Sequence, residues 1–539
     1  MRVLPEFPSS SLIACSRCFL RLPIGANRSV QTYTSPIDPM KCVVSSLLGS
    51  LVALLSVLPA SFAAPFPPIQ EKDGVTVAFE SSETIRVGET AFLYFRISDS
   101  VTTQPIRGLR PESSIRRNDA EGALGSCAAK MKVETRRFGS HTPVQVNSYI
   151  VALNSLDGSL SVIDPGRRSL MFRKKIELDG PGNDIVLPWL GQYIYVTVEP
   201  NTLVVVDGVQ MDVAHRLTVG AQPHHLVSQP DRKYVWVGND GDASVSVIAT
   251  DTHRVIATIP VGRGHHELAV TEDSRYVAVT NQDEDTVTVI SVRHLLSVGT
   301  ISVGKRPHGI AYGPLSRSFY VANEGDGTVT VIDLAKGRVT DTIPTGRGVR
   351  TIRFNNQGQL AYALNRVANT ATIIDSTTNT AIDTIRTGVA PDDIVFEYDW
   401  AFIRNAGSAD VTIVSLNHSG LFQNFPVGHR EPNQLDLPQG HTSLVSFGDG
   451  HNVLVPNPTD GAVYQLMAGG VVGPSRVFDT KGRGPTRAVV YWRGLREVNP
   501  GAYRRALTFE HPGRYEIGLY ISSPELATCF ELTVLPAVK

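Results

Sequence analysis

Five positions in this sequence carry a histidine or a charged residue at one fixed interval. His224, His266, His308, Arg350 and Asp392 follow one another in steps of 42 residues. The position after each carries His225, Glu267, Gly309, Thr351 and Asp393. Three imidazoles and the Glu267 carboxylate form a donor set suited to zinc, copper or iron. Arg350 with His224 and His266 forms a different set, suited to a small anion. A plainer reading stands beside both, in which a polar side chain at this recurrent point simply faces water. His265 falls off the series and reads as a surface or inter-repeat residue.

A fixed interval needs a repeated element to carry it. Tyr234 opens the run YVWVGN, Tyr276 opens YVAVTN, Ser318 opens SFYVAN and Leu360 opens LAYALN. The runs end on Asn239, Asn281, Asn323 and Asn365, again in steps of 42. Strands such as TVTVI, ending at Ile290 and Ile332, follow the first three after a turn rich in Asp and Gly. Looser copies place Asn154, Asn405 and Asn457 at the same point, and a degenerate copy spans 193–207 without one. Alternation at period two gives each strand a buried face, and Asn and Gly at the turns are expected to supply positive φ. Each copy reads as four short strands, which is one propeller blade.

The copies number eight, or seven if the one near 199 is irregular. Extending the series around the ring adds Thr486, Asn183 and Asn433, with Arg487, Asp184 and Gln434 beside them. The stretch 482–491 resembles 304–312, so residues near 486–492 should complete the blade that opens near Val144. Joining the two chain ends in one sheet protects its edges. The expected fold is all-β, with a propeller over 144–492.

The Tyr-Val-Ala-Asn-like strand, the Thr-Val-Thr-Val-Ile strand and the Val-Gly-x-x-Pro-x-Gly connection resemble the YVTN-repeat family of propellers over about 145–492. That resemblance implies the fold. It extends to the d-type haem domain of periplasmic nitrite reductases, which implies haem or a transition metal as a conceivable cofactor, with His224, His266 or His308 as ligand. Other relatives carry Pro-His-Gly at this point with no cofactor, so none is expected first. No CxxCH motif follows the N-terminal region, which counts against haem-based electron transfer.

Residues 65–143 and 493–539 do not follow the repeat. Strands are expected at 75–79, 90–98 and 105–109, and at 503–509, 515–522 and 529–535. The stretch from Gly88 to Asp99 resembles the first half of a small exported immunoglobulin-like domain. Pro500-Gly-Ala-Tyr503 and Pro512-Gly-Arg-Tyr515 resemble the second half. Neither half suffices alone, and a ring brings its ends together. One sandwich split around the propeller is expected, with Cys127 and Cys529 close enough to pair.

Met40-Lys41 followed by an apolar run from Val43 to Leu58 reads as a signal peptide over 40–63, cleaved after Ala63. Residues 1–39 then read as an over-extended gene model. A periplasmic or secreted protein with no membrane span after cleavage is expected. The 50 basic and 51 acidic residues give a net charge of −1. No basic excess is present to attract nucleic acid. GxSxG, HExxH and Walker motifs are absent, so a binding or scaffold role toward a protein or small ligand is favoured over catalysis.

Overall fold

The computed structural model describes residues 69–107, 109, 111–117, 148–166, 171–188, 191–416, 422–429, 444–447, 452–467, 474–522 and 525–538. The expected signal peptide, Cys127, Asn433 and Gln434 lie outside them.

A unit of this length cannot cover both faces of its own sheet, so the copies must stack. Among the described residues, eight four-stranded antiparallel sheets form. In one of them Pro223–Ser228, Tyr234–Asn239, Ser244–Ala249 and Arg254–Pro260 pair in that order. The two middle strands are buried almost throughout, whereas Arg254–Pro260 buries only Ile259 and otherwise alternates between exposed and half-buried. Neighbouring sheets cover both faces of the middle strands. One core cluster, for example, joins Tyr320, Val329 and Val331 to Ile352, Ala363 and Ile374 of the next sheet. The copy without a turn Asn still forms a full sheet from Gly182–Val186, Tyr193–Val198, Thr202–Asp207 and Asp212–Thr218.

Pro485–Trp492 pairs with Ser148–Asn154, placing Val489 opposite Val151, as the likeness of 482–491 to 304–312 implied. The innermost strands touch in succession, and Pro485–Trp492 also packs against Gly182–Val186.

The turn asparagines work differently from expectation. Asn239, Asn281, Asn323 and Asn365 each end a strand, and positive φ falls four residues later, at Ala243, Asp285, Gly327 and Asn369. The Asn side chain acts as a clamp. Asn323 Nδ2 donates to Oγ1 of Thr328 at 3.0 Å and of Thr330 at 2.8 Å. Asn239, Asn281 and Asn365 do the same to their own Ser or Thr pairs. The turn acids are also structural. Asp242, Asp285 and Asp326 accept backbone N–H bonds from Ala221, Arg306 and Lys305 at 2.9, 2.8 and 2.6 Å.

The flanks interleave. Thr90–Asp99 pairs with Ala502–Thr508 in a five-stranded sheet, and Glu112–Arg117 pairs with Gly513–Ser522 in a three-stranded one. Both sheets share one core, with Phe79 and Phe530 stacked at 4.9 Å between ring centres. Pro105 makes only an isolated bridge to Ser98, so the strand expected at 105–109 lies instead at Glu112–Arg117. Cys529 is disulfide-bonded. No helix among the described residues is long and apolar enough to cross a membrane.

Candidate metal centre at the central cavity

The innermost strands surround a cavity of about 400 Å³, counting its opening to solvent. Its lining among the described residues is entirely polar. His224, His225, His265, Glu267, Asp392 and Asp393 supply the titratable donors, and Arg353 and Arg487 the cations.

Histidine 265 is central to it, contrary to expectation. Its ring centre lies 4.9 Å from that of His224 and 4.5 Å from that of His308. Two sets of side chains bring donor atoms within 4.8 Å of one another: His224 with Asp240 and His265, and His265 with Glu267 and His308. His266, expected as a ligand, belongs to neither set. It is fully buried, with Nδ1 bonded to the Thr280 carbonyl at 2.8 Å.

The backbone explains the exchange. In the 42-residue series three inner strands open on Pro223, Pro307 and Pro391, whereas His265 and Val349 stand at that place in the other two. The residue before takes a positive φ in every case. Gln222, Arg306, Gly348 and Ala390 have φ of 50°, 50°, 68° and 52°, but Gly264 reaches 103°. A side chain at Gly264 would meet Asp283 N at 2.6 Å. This strand is also short, beginning at Leu268. A different path into the strand carries His265 to the cavity.

Histidine 265 is held in place from behind. Its Nδ1 lies 2.8 Å from Asp240 Oδ2, and Asp240 Oδ1 accepts the His266 N–H at 3.0 Å. A carboxylate bonded to one imidazole nitrogen fixes the tautomer and leaves Nε2 as the ligand atom. Glu267 Oε1 accepts from Arg353 Nη2 at 2.9 Å, and its Oε2 lies 3.7 Å from His308 Nδ1. Burial opposes the charge on Glu267, but Arg353 and then His225 outweigh it and hold the carboxyl below its usual range. Burial, and then His265, push His224 down to about 4. Burial holds His308 well below the usual histidine range, with His265 and Arg350 adding to the effect. Neutral imidazole is the form that ligates metal.

The remaining expected residues spread around the ring. Asp392 and Asp393 line the cavity. Arg404 lies against Asp392, yet burial outweighs that attraction and, with Asp393, pushes Asp392 up to about 6. Burial also raises Asp393, whose Oδ2 accepts the Leu444 N–H at 2.7 Å. Arg350 is buried beside Glu324, with 3.9 Å between charged atoms, and is not part of the lining. His225 Nδ1 and Arg487 Nη1 reach Asp184 at 2.9 and 2.5 Å. Asp240 and Arg353 contact this cluster through His265 and Glu267, although spacing alone did not single them out.

A family model described as a YNCE-like beta-propeller matches residues 200–314. This chain is a β-propeller. Its fold is similar to that of the solved dihydro-heme d1 dehydrogenase NirN in complex with DHE. That likeness has 14% identity and a TM-score of 0.51, over 70% of this chain and 80% of that one. It is also similar to AztD from Citrobacter koseri, at 14% identity and a TM-score of 0.50, over 64% of this propeller chain and 98% of AztD. At such identities the likeness is one of fold. No curated protein sequence matches the propeller.

Proposed function

We propose that this chain is an exported, non-catalytic binding protein that holds one divalent transition-metal ion in its central cavity. The reading takes the eight sheets as an eight-bladed ring over 144–492, inserted into a split immunoglobulin-like sandwich. The face around the cavity is then presented to a protein partner.

One observation carries the proposal. His265, Glu267 and His308 bring a nitrogen, a carboxylate oxygen and a nitrogen within 4.8 Å of one another, and Asp240 orients His265 from behind. Imidazole and carboxylate donors suit zinc, copper and iron. His224, with its ring centre 4.9 Å from that of His265, is a further donor. A tetrapyrrole fits less well, because haem pockets are largely apolar and this lining is polar throughout among the described residues. The absence of a nucleophile or hydrolase motif supports the non-catalytic part.

The test is titration of metal-stripped protein with zinc and with cobalt, followed by calorimetry and visible absorption. One equivalent should bind, and cobalt should give the spectrum of a nitrogen- and oxygen-ligated ion. His265→Ala and Glu267→Gln should each weaken binding at least about tenfold. Failure of the folded wild-type protein to bind a stoichiometric ion would overturn the reading. In the same preparation, a mass map should show an N-terminus at Ala64 and a Cys127–Cys529 link.

A further inference from the structure

A second cavity lies where the chain leaves the propeller for the flanking sheet. It is open to solvent, with about 280 Å³ of space when the opening is counted, and Gln192, Tyr491, Trp492, Arg493, Arg496 and Arg504 contribute to its wall. Three of these are arginines, and no carboxylate belongs to the lining.

Two of the three arginines, Arg496 and Arg504, are poorly matched by their surroundings. Arg496 and Arg504 are directly opposite each other across adjacent antiparallel strands. Like charges in that position repel. Among the described residues, neither comes within ion-pair distance of a carboxylate. Arg496 spends two donors on backbone carbonyls, reaching Gly191 O with Nη1 at 2.5 Å and Trp492 O with Nη2. Its guanidinium lies over the Tyr491 ring, 4.9 Å from the centre. Arg504 lies over Phe92 at 5.3 Å. Arg493 does have an acid, Asp164 Oδ1 at 3.4 Å, but Arg173 approaches the other oxygen of that carboxylate at 3.9 Å. Burial disfavours the charged form of Arg496; Tyr491 offsets part of that, and Arg504 adds to it.

These rings hold the cationic planes in place without neutralising them. A planar guanidinium presents five N–H donors in a fixed fork, and the geometry suits tetrahedral oxyanions. An anion between the two strands would offset their repulsion and use the donors that the protein leaves over. Gln192 adds a neutral polar wall; one of its two Nε2 hydrogens goes to Asp207 at 2.9 Å, leaving the other.

We propose that this cavity is a binding site for a small tetrahedral oxyanion of the phosphate class, held by Arg496 and Arg504 with Arg493 at its edge. The site is separate from the metal centre and does not depend on it.

The experiment uses the full exported protein, stripped of metal, in chloride buffer of fixed ionic strength. Inorganic phosphate, sulfate and acetate replace chloride in separate arms, read by calorimetry and by thermal midpoint. Phosphate and sulfate should bind with one site per chain and raise the midpoint, and acetate should do so more weakly. Arg504→Gln is the chosen variant, since its guanidinium makes no backbone bond among the described residues. It should raise the midpoint in chloride by relieving the repulsion, and weaken phosphate at least about tenfold, the scale of one lost charge-assisted hydrogen bond. A wild-type protein that responds to phosphate no more than to chloride overturns the proposal. So does a folded Arg504→Gln protein that binds phosphate as tightly as wild type. If that variant fails to fold, the wild-type arms alone decide.

Discussion

At the scale of single residues, the decisive relation is that between His265 and Asp240. Two side chains 25 positions apart are joined by a 2.8 Å contact, and the backbone N–H of His266 pins the second carboxylate oxygen. Asp240 is a positioning residue in the proposed centre: it holds a tautomer and a ring angle, and Nε2 of His265 does the binding. An amide in its place keeps the size and can still accept a hydrogen bond, but loses the charge that raises the basicity of the ligand. Asp240→Asn should therefore weaken zinc by about 10–100-fold while leaving the fold intact. A merely structural Asp240 would change the unfolding midpoint and leave affinity alone. Competition with a chelating dye, together with the cobalt spectrum, separates the two outcomes.

At the scale of the element, the sequence showed the repeat almost whole. Turn asparagines at equal steps located the sheets, because each copy needs the same clamp on its Ser or Thr pair. The same equal spacing pointed to His266 where the donor cluster holds His265. Counting in steps of 42 aligns His266 with His224 and His308, but a strand entered through Gly264 at a φ of 103° presents His265 instead. A glycine followed by a residue other than proline stands at 264–265, but the same pair stands at 348–349, where the strand starts in register, so neither the residue types nor the period report the change of path. Arg353 was legible in principle, since it lies two positions beyond Thr351 on one strand and so shares its face. Asp240 was hidden among turn acids that mostly cap backbone. Gly264 therefore carries a prediction of its own. A methyl there would be 2.6 Å from Asp283 N and would strain a φ that side chains rarely adopt. Gly264→Ala should cost about 1–3 kcal/mol in urea unfolding and lower metal affinity at least tenfold. Gly482 also has positive φ, 74°, but open space around it. Gly482→Ala should cost only about 1 kcal/mol and leave metal binding unchanged.

At the scale of the whole molecule, the ring must hold its two ends together, and the strand pairing between Pro485–Trp492 and Ser148–Asn154 has a buried ionic partner. Asp184 lies on Gly182–Val186, accepts from Arg487 of the closing strand, and takes His225 Nδ1 and the Leu226 N–H from the following sheet at 2.9 and 3.1 Å. One carboxylate thus ties three successive inner strands across the closure. Burial alone would raise its pKa, but Arg487 and His225 outweigh burial and bring it down to about 2, from 3.8. A folded-state pKa below the unfolded one means that the contribution is fully present above pH 4. It is lost as pH falls through about 2. A shift of this size corresponds to roughly 2 kcal/mol. Denaturant unfolding at pH 7, 4 and 2.5 should then show little change from this group between the first two and a fall toward the third. Asp184→Asn should flatten that acid limb. It should also lower stability at pH 7 by about 3–5 kcal/mol, because it leaves Arg487 buried without its counter-charge. An acid limb that is the same in Asp184→Asn as in the wild type would show that other carboxylates, and not this clasp, govern opening of the ring.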